Sequence, residues 1–184
     1  MKLLRTIRLD PSDTFVFPRV AEPGEWAVTG TFLFWGRDLT GLEGRERAAF
    51  RSGFLGVETF GFSTLAVVQE ARDDERAAAV EALARHIHRE LGAPDLASAR
   101  AAAEEEVAFS ASLADHEPNT LVALHRLFEA GEIREAFRTL KPRERTAGAD
   151  GLHAQARAFS FHEVVDDEAA GDEVDLIGMM DKRS

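Results

Sequence analysis

The hydrophobic pattern changes period once, near residue 73, and that change limits the folds open to the chain. Before it, aromatic residues dominate. Phe15, Phe17, Trp26, Phe32, Phe34, Trp35, Phe50, Phe54, Phe60 and Phe62 all precede residue 63. Aromatic and β-branched side chains suit pleated, half-buried surfaces, so this region reads as sheet. Residues 3–9 are expected as a first strand, closed by Asp10-Pro11-Ser12-Asp13. Residues 14–17 follow as a short second strand, 25–35 as a long third and 57–70 as a fourth. The third places Trp26, Val28, Gly30, Phe32 and Phe34 on one face and mostly apolar residues on the other. Cover on both sides is therefore expected, with helices on one face and a second copy of the chain, as a homodimer, on the other.

After residue 73 the spacing becomes helical. Ala77, Val80, Leu83, Ala84, Ile87 and Leu91 form one stripe, capped by Asp73 or Asp74 and closed by Gly92 and Pro94. Asp95 caps a second, Ala-rich helix that reaches Leu113 and carries Glu104-Glu105-Glu106 on its outer side. Pro118 opens a third helix through Leu121, Leu124, Leu127 and Phe128; Gly131 breaks it, and Ile133, Ala136, Phe137 and Leu140 resume the pattern. A helical hairpin is thus expected over 118–140. Residues 152–165 return to a strand-like composition. The expected fold class is α+β: an antiparallel, aromatic-rich N-terminal sheet, three to four helices, then a closing C-terminal strand. Residues 1–165 form one domain and 166–184 an acidic tail.

Composition works by subtraction. The 184 residues include no cysteine and no tyrosine, which removes disulfides, thiolate nucleophiles, Cys-type metal sites and a phenolic acid or base. The N-terminus is interrupted by Lys2, Arg5 and Arg8 and has no apolar signal-peptide core, so a cytoplasmic location is expected. No apolar run is long enough for a membrane helix. The net charge of −11 disfavours nucleic acid and anionic membranes. That charge is unevenly distributed. Residues 1–72 are neutral, 73–140 carry −7, 141–165 carry +1 and 166–184 carry −5.

Motifs for specific chemistry are incomplete. Gly36 and Gly41 have phosphate-loop spacing, but Leu42 and Glu43 stand where Lys and Ser/Thr are required. Ser63 lacks the second glycine of a nucleophile elbow. His86 and Glu90 share a helix face without a third ligand, and the acidic stretch at 166–177 has Ala170 and Ile177 where a calcium loop needs oxygen ligands. No catalytic residue, metal or cofactor is assigned. The connection 36–56 carries Arg37, Arg45, Arg47 and Arg51 beside Phe50 and Phe54, with Asp38, Glu43 and Glu46 nearly cancelling their charge. It reads either as a lid over an anionic ligand or as a short solvated helix over 43–51. His153, Gln155 and Arg157 alternate on the last strand, lining a pocket or facing water. The ligand-binding candidates are Trp35, Arg37, Arg47, Arg51, His153 and Arg157. Leu176, Ile177, Met179 and Met180, an apolar island in the acidic tail, are the candidates for docking a protein partner.

The opening stretch, Lys2-Leu3-Leu4-Arg5-Thr6-Ile7-Arg8-Leu9-Asp10-Pro11-Ser12-Asp13-Thr14-Phe15-Val16-Phe17, and the later Glu22-Pro23-Gly24-Glu25-Trp26-Ala27-Val28 resemble the start of an uncharacterised bacterial family of unknown function. The resemblance brings no catalytic residues. It implies a context: maturation of molybdenum-dependent oxidoreductases. Two functions are expected on these grounds. The first is a non-catalytic accessory or protein-interaction protein. The alternative is a small-molecule-binding protein or enzyme with a pocket between the aromatic sheet and the 36–56 connection.

Overall fold

A computed structural model describes residues 1–142 and 162–165, and within them eight strands join one antiparallel sheet. The strands are β1 (Lys2–Ile7), β2 (Trp26–Val28), β3 (Phe54–Gly56), β4 (Phe62–Ser63), β5 (Leu65–Glu70), β6 (Leu121–Glu129), β7 (Glu132–Pro142) and β8 (His162–Val165). Their order across the sheet is β4-β3-β2-β1-β5-β6-β7-β8. The helices are α1 (Asp13–Val16), α2 (Gly44–Ser52), α3 (Asp73–Leu91) and α4 (Leu96–Leu113), with a 3₁₀ turn at Thr31–Phe34. The α+β class expected from the change of period is the one observed.

Side-chain alternation on β1 divides the core in two. Leu4 joins Ala27, Phe54, Ala66, Val68, Val122 and Leu124 in one buried cluster. Its neighbour Leu3 joins Trp26, Val28, Leu55 and the apolar stripes of α3 and α4 in the other. Small residues let those helices approach closely: Ala79 and Ala84 of α3 and Ala99 and Ala103 of α4 are all buried. The caps at Asp95 and Gly92 are where the sequence puts them, but α3 begins one residue early. Arg72 is its N-cap, its N–H donating to Glu75 at 3.0 Å, and Asp73 and Asp74, expected as caps, lie in the first turn. The Asp95 carboxylate accepts the Ser98 N–H at 2.7 Å, and Gly92 closes α3 at φ +71°.

Several elements differ from expectation. The segment 118–140 is not a helical hairpin but β6 and β7, paired from Leu121↔Leu140 to Glu129↔Glu132. The reason is tertiary. The outer edge of β5 offers unpaired backbone groups, and β6 satisfies them through Leu65↔Ala123, Ala66↔Val122 and Val67↔Leu121. Ala130 and Gly131 both take positive φ, +52° and +84°, as a two-residue hairpin turn of the twist-compatible type requires. The expected strand at 14–17 is instead the helical turn α1, which starts after Pro11. The long third strand ends at Val28, because Gly30 at φ +75° redirects the chain into the 3₁₀ turn. Both faces of β2 are covered within the chain, Trp26 and Val28 in one cluster and Ala27 in the other, so this strand offers no open face for a second copy. The fourth strand divides into β4 and β5, preceded by a turn that holds Phe60 at φ +57°. The stretch 43–51 is helical, as α2. Among the described residues, no helix is long and apolar enough to cross a membrane.

Candidate functional site

The inward face of the β6–β7 hairpin is mostly apolar and is interrupted by one charged pair. Val122↔Thr139 and Leu124↔Phe137 pair first; the next opposed pair is Arg126↔Glu135, and the last is Phe128↔Ile133. Arg126 is completely buried, which is costly for a cation unless its donors are matched. They are. Nε donates to Glu135 Oε1 at 2.9 Å and to Thr31 Oγ1 at 2.7 Å. Nη1 donates to the carbonyls of Phe50 at 2.9 Å and Gly53 at 3.1 Å, and Nη2 to the carbonyl of Thr29. Thr31 Oγ1 also donates to Glu135. Burial pulls the Arg126 pKa below its ordinary value while Glu135 opposes that fall.

This geometry shows that the sheet curls. β1 and β5 separate β6 from β2 in the sheet order, yet Arg126 on β6 reaches the backbone just beyond β2 and just before β3. It also meets the last carbonyls of α2, where the helix dipole favours a cation. Phe34, at the end of the 3₁₀ turn, packs on this knot with its ring centroid 5.6 Å from the Arg126 guanidinium carbon.

Above the knot lies a cleft of about 770 Å³. The segment from Thr29 to Leu39 forms one wall, Glu106 and Phe109 of α4 a second, and the hairpin from Phe128 to Glu135 the third. Three aromatic side chains stand exposed at its lip: Trp35 at 67%, Phe109 at 43% and Phe128 at 38%. Glu132, Glu135 and Glu106 supply carboxylates, and Arg37 a guanidinium held 3.5 Å from Glu46.

The two inner carboxyls differ. Glu135 is matched by Arg126 and Thr31. Glu106, which the sequence pattern places on the outer side of its helix, lines the cleft with no hydrogen-bond or ion-pair partner among the described residues. Burial and the charges of Glu135 and Glu105 push its pKa up to about 7, with Arg126 opposing. A carboxyl in that range gains or loses a proton near neutrality, and in its charged form it can pair with a cation inside the cleft.

Of the residues singled out from sequence, Trp35 and Arg37 line this cleft. Arg47 and Arg51 lie exposed on α2 and are not among its lining residues. Burial lowers the pKa of His125, and the Arg51 and Arg138 charges add to that fall. His153, Arg157 and the tail residues Leu176, Ile177, Met179 and Met180 lie outside the described residues. Thr31, Glu106, Arg126 and Glu135 were not anticipated. The available signal was the strand period at 122–128, where Arg126 interrupts an apolar row; a helical reading scatters that row. Among the described residues, no group of three or more His, Asp or Glu side chains converges as for a metal ion.

Searches of curated proteins and of solved structures found no match. The model of a family of unknown function, DUF6505, matches residues 1–158, most of the chain. The chain therefore belongs to the DUF6505 family.

Proposed function

We propose that this chain is a small-molecule-binding protein that holds its ligand in the cleft between the 29–39 segment, α4 and the β6–β7 turn. One observation carries the reading: about 770 Å³ of space whose lining combines exposed aromatic faces with a half-buried carboxyl that has no partner among the described residues. Concave sites with an apolar lining and a few polar groups are the usual form of small-molecule pockets. The floor is rigid because Arg126 ties the hairpin to α2 and to Thr29. The sequence-based expectation of a pocket beside Trp35 points to the same region, although of the 36–56 connection only Gly36, Arg37 and Leu39 line it.

The accessory-protein reading keeps one favourable observation. Trp35, Phe109, Leu127 and Phe128 are all large, apolar and exposed, and three of them ring the cleft, as a protein-docking surface would also require. A cytoplasmic location agrees with a chain that has no cysteine.

Fluorine NMR separates these readings. The chain has two tryptophans, one buried and one on the lip, so 5-fluorotryptophan labelling yields two resonances, assigned with Trp35→Phe. A library of charged and neutral metabolites is expected to contain members that shift the Trp35 signal saturably and leave Trp26 in place. If no member moves Trp35, while a protein partner does, the small-molecule reading is wrong.

A further inference from the structure

We propose that the ligand of this cleft is an organic cation, an ammonium group on an apolar body, with the cation seated between the Glu106 carboxylate and the exposed ring faces of Trp35, Phe109 and Phe128. The inference rests on the ligand-binding reading and deepens it by naming the chemical class.

Charge balance is the first argument. The cleft lining holds three carboxylates, Glu106, Glu132 and Glu135, and one guanidinium, Arg37. Arg37 is shared with Glu46, and Arg126 behind the floor is consumed by Glu135 and four backbone carbonyls. Among the described residues two carboxylates of the lining therefore have no counter-charge in contact, Glu132 and Glu106; Glu132 is exposed to water, and Glu106 is the half-buried one. A cation beside Glu106 offsets the burial cost and the repulsion from Glu135 that burden the ionised form.

Aromatic geometry is the second. Trp35 sits just past the 3₁₀ turn, Phe109 one helical turn after Glu106 on α4, and Phe128 at the end of β6. Three different elements thus present rings to one space that contains a carboxylate. Ring faces attract cations, and ammonium ligands are recognised by rings and carboxylates together. An anion would meet three carboxylates and one committed arginine. A wholly apolar ligand would leave Glu106 buried beneath it without a partner, which is costly.

The test is calorimetric titration of the full chain at pH 8 with four probes: choline, benzyltrimethylammonium, 3,3-dimethylbutan-1-ol and benzoate. The alcohol is the neutral counterpart of choline. Both cations are expected to bind with dissociation constants on the order of millimolar, suited to fragments of this size, and the alcohol and benzoate at least about tenfold more weakly. Glu106→Gln is expected to weaken the cations about tenfold, whereas Glu104→Gln, on the exposed side of the same helix, leaves them unchanged. At pH 5.5 the native chain is expected to approach the Glu106→Gln variant. The groups that set this dependence are Glu135 and Arg126 from the hairpin and Glu105 from α4. The intact Trp26 fluorine resonance verifies that the variant is folded.

Tighter binding of benzoate or the alcohol than of the cations would overturn the cation assignment and leave the ligand-binding reading standing. So would cation binding that is indifferent to Glu106→Gln. Failure of all four probes, together with a fluorine screen in which nothing moves Trp35, would overturn both.

Discussion

Arg126 and Glu135 face each other across β6 and β7 with Nε 2.9 Å from Oε1, and the same guanidinium holds carbonyls from Thr29, Phe50 and Gly53. A single buried side chain thus joins the hairpin to the far part of the sheet and to the end of α2. The cleft lies beside this link, with Thr29, Thr31 and Glu135 common to both.

Removing that link is expected to be costly. Arg126→Met leaves the Glu135 charge without its partner and several buried carbonyls without donors. The loss of unfolding free energy in urea should be about 3–5 kcal/mol. Arg126→Lys should recover little of it, because one ammonium cannot reach carbonyls on both sides of the knot. A loss below about 1 kcal/mol for Met would show that the link is dispensable.

Glu106 makes stability depend on pH in a defined direction. Its folded pKa, about 7, lies above the ordinary carboxyl value of 4.5. Between those limits the folded chain keeps a proton that the unfolded chain has released, so this group's contribution falls as pH rises towards about 7 and is constant above it. Glu106→Gln removes the penalty. It should stabilise the chain at pH 8 by on the order of 1–2 kcal/mol, discounted for partial exposure, and change little near pH 4.5. Thermal melts at the two pH values read the difference.

Close packing around Glu25 orders the glycines by tolerance. Its buried carboxylate accepts the N–H groups of Glu22, Glu58 and Thr59 at 2.6, 2.9 and 2.8 Å. A Cβ at Gly56 would lie 2.6 Å from Glu25 Oε2, and one at Gly61 only 2.4 Å from the Val20 carbonyl. Gly61→Ala should cost the most because backbone must move, on the order of 3 kcal/mol, and Gly56→Ala somewhat less. Gly36→Ala meets open space and should cost only the strain of its positive φ, about 1 kcal/mol. Denaturant midpoints rank the three.

The hairpin turn can be improved. Ala130 holds φ +52°, a conformation that costs alanine about 1 kcal/mol and asparagine less. Ala130→Asn should raise stability by about 0.5 kcal/mol, and Gly131→Val, forced to φ +84°, should lower it by more than that. If both substitutions were neutral in thermal melts, this turn would not constrain the hairpin.

Local rules were sufficient where a segment satisfies its own backbone. α3 and α4 were legible from an apolar stripe, Asp95 and Gly92, because a helix closes its hydrogen bonds within itself. The residues from 118 to 140 had no such independence. Leu, Ala, Glu and Arg favour a helix there, and the open edge of β5 converts them to strands. That conversion moved the site out of view, since Arg126, Glu135 and Ile133 share a face only at period two.

From sequence alone follow the α+β class, the two long helices, the family resemblance and the exclusion of thiol chemistry, all of which depend on composition and short spacings. Tertiary structure alone decided that Glu106 of α4 and Glu135 of β7 line one cleft, and that of these two, among the described residues, only Glu135 has a cation in contact. Burial, curl and charge pairing depend on residues distant in the chain, and no local pattern encodes the distance between them.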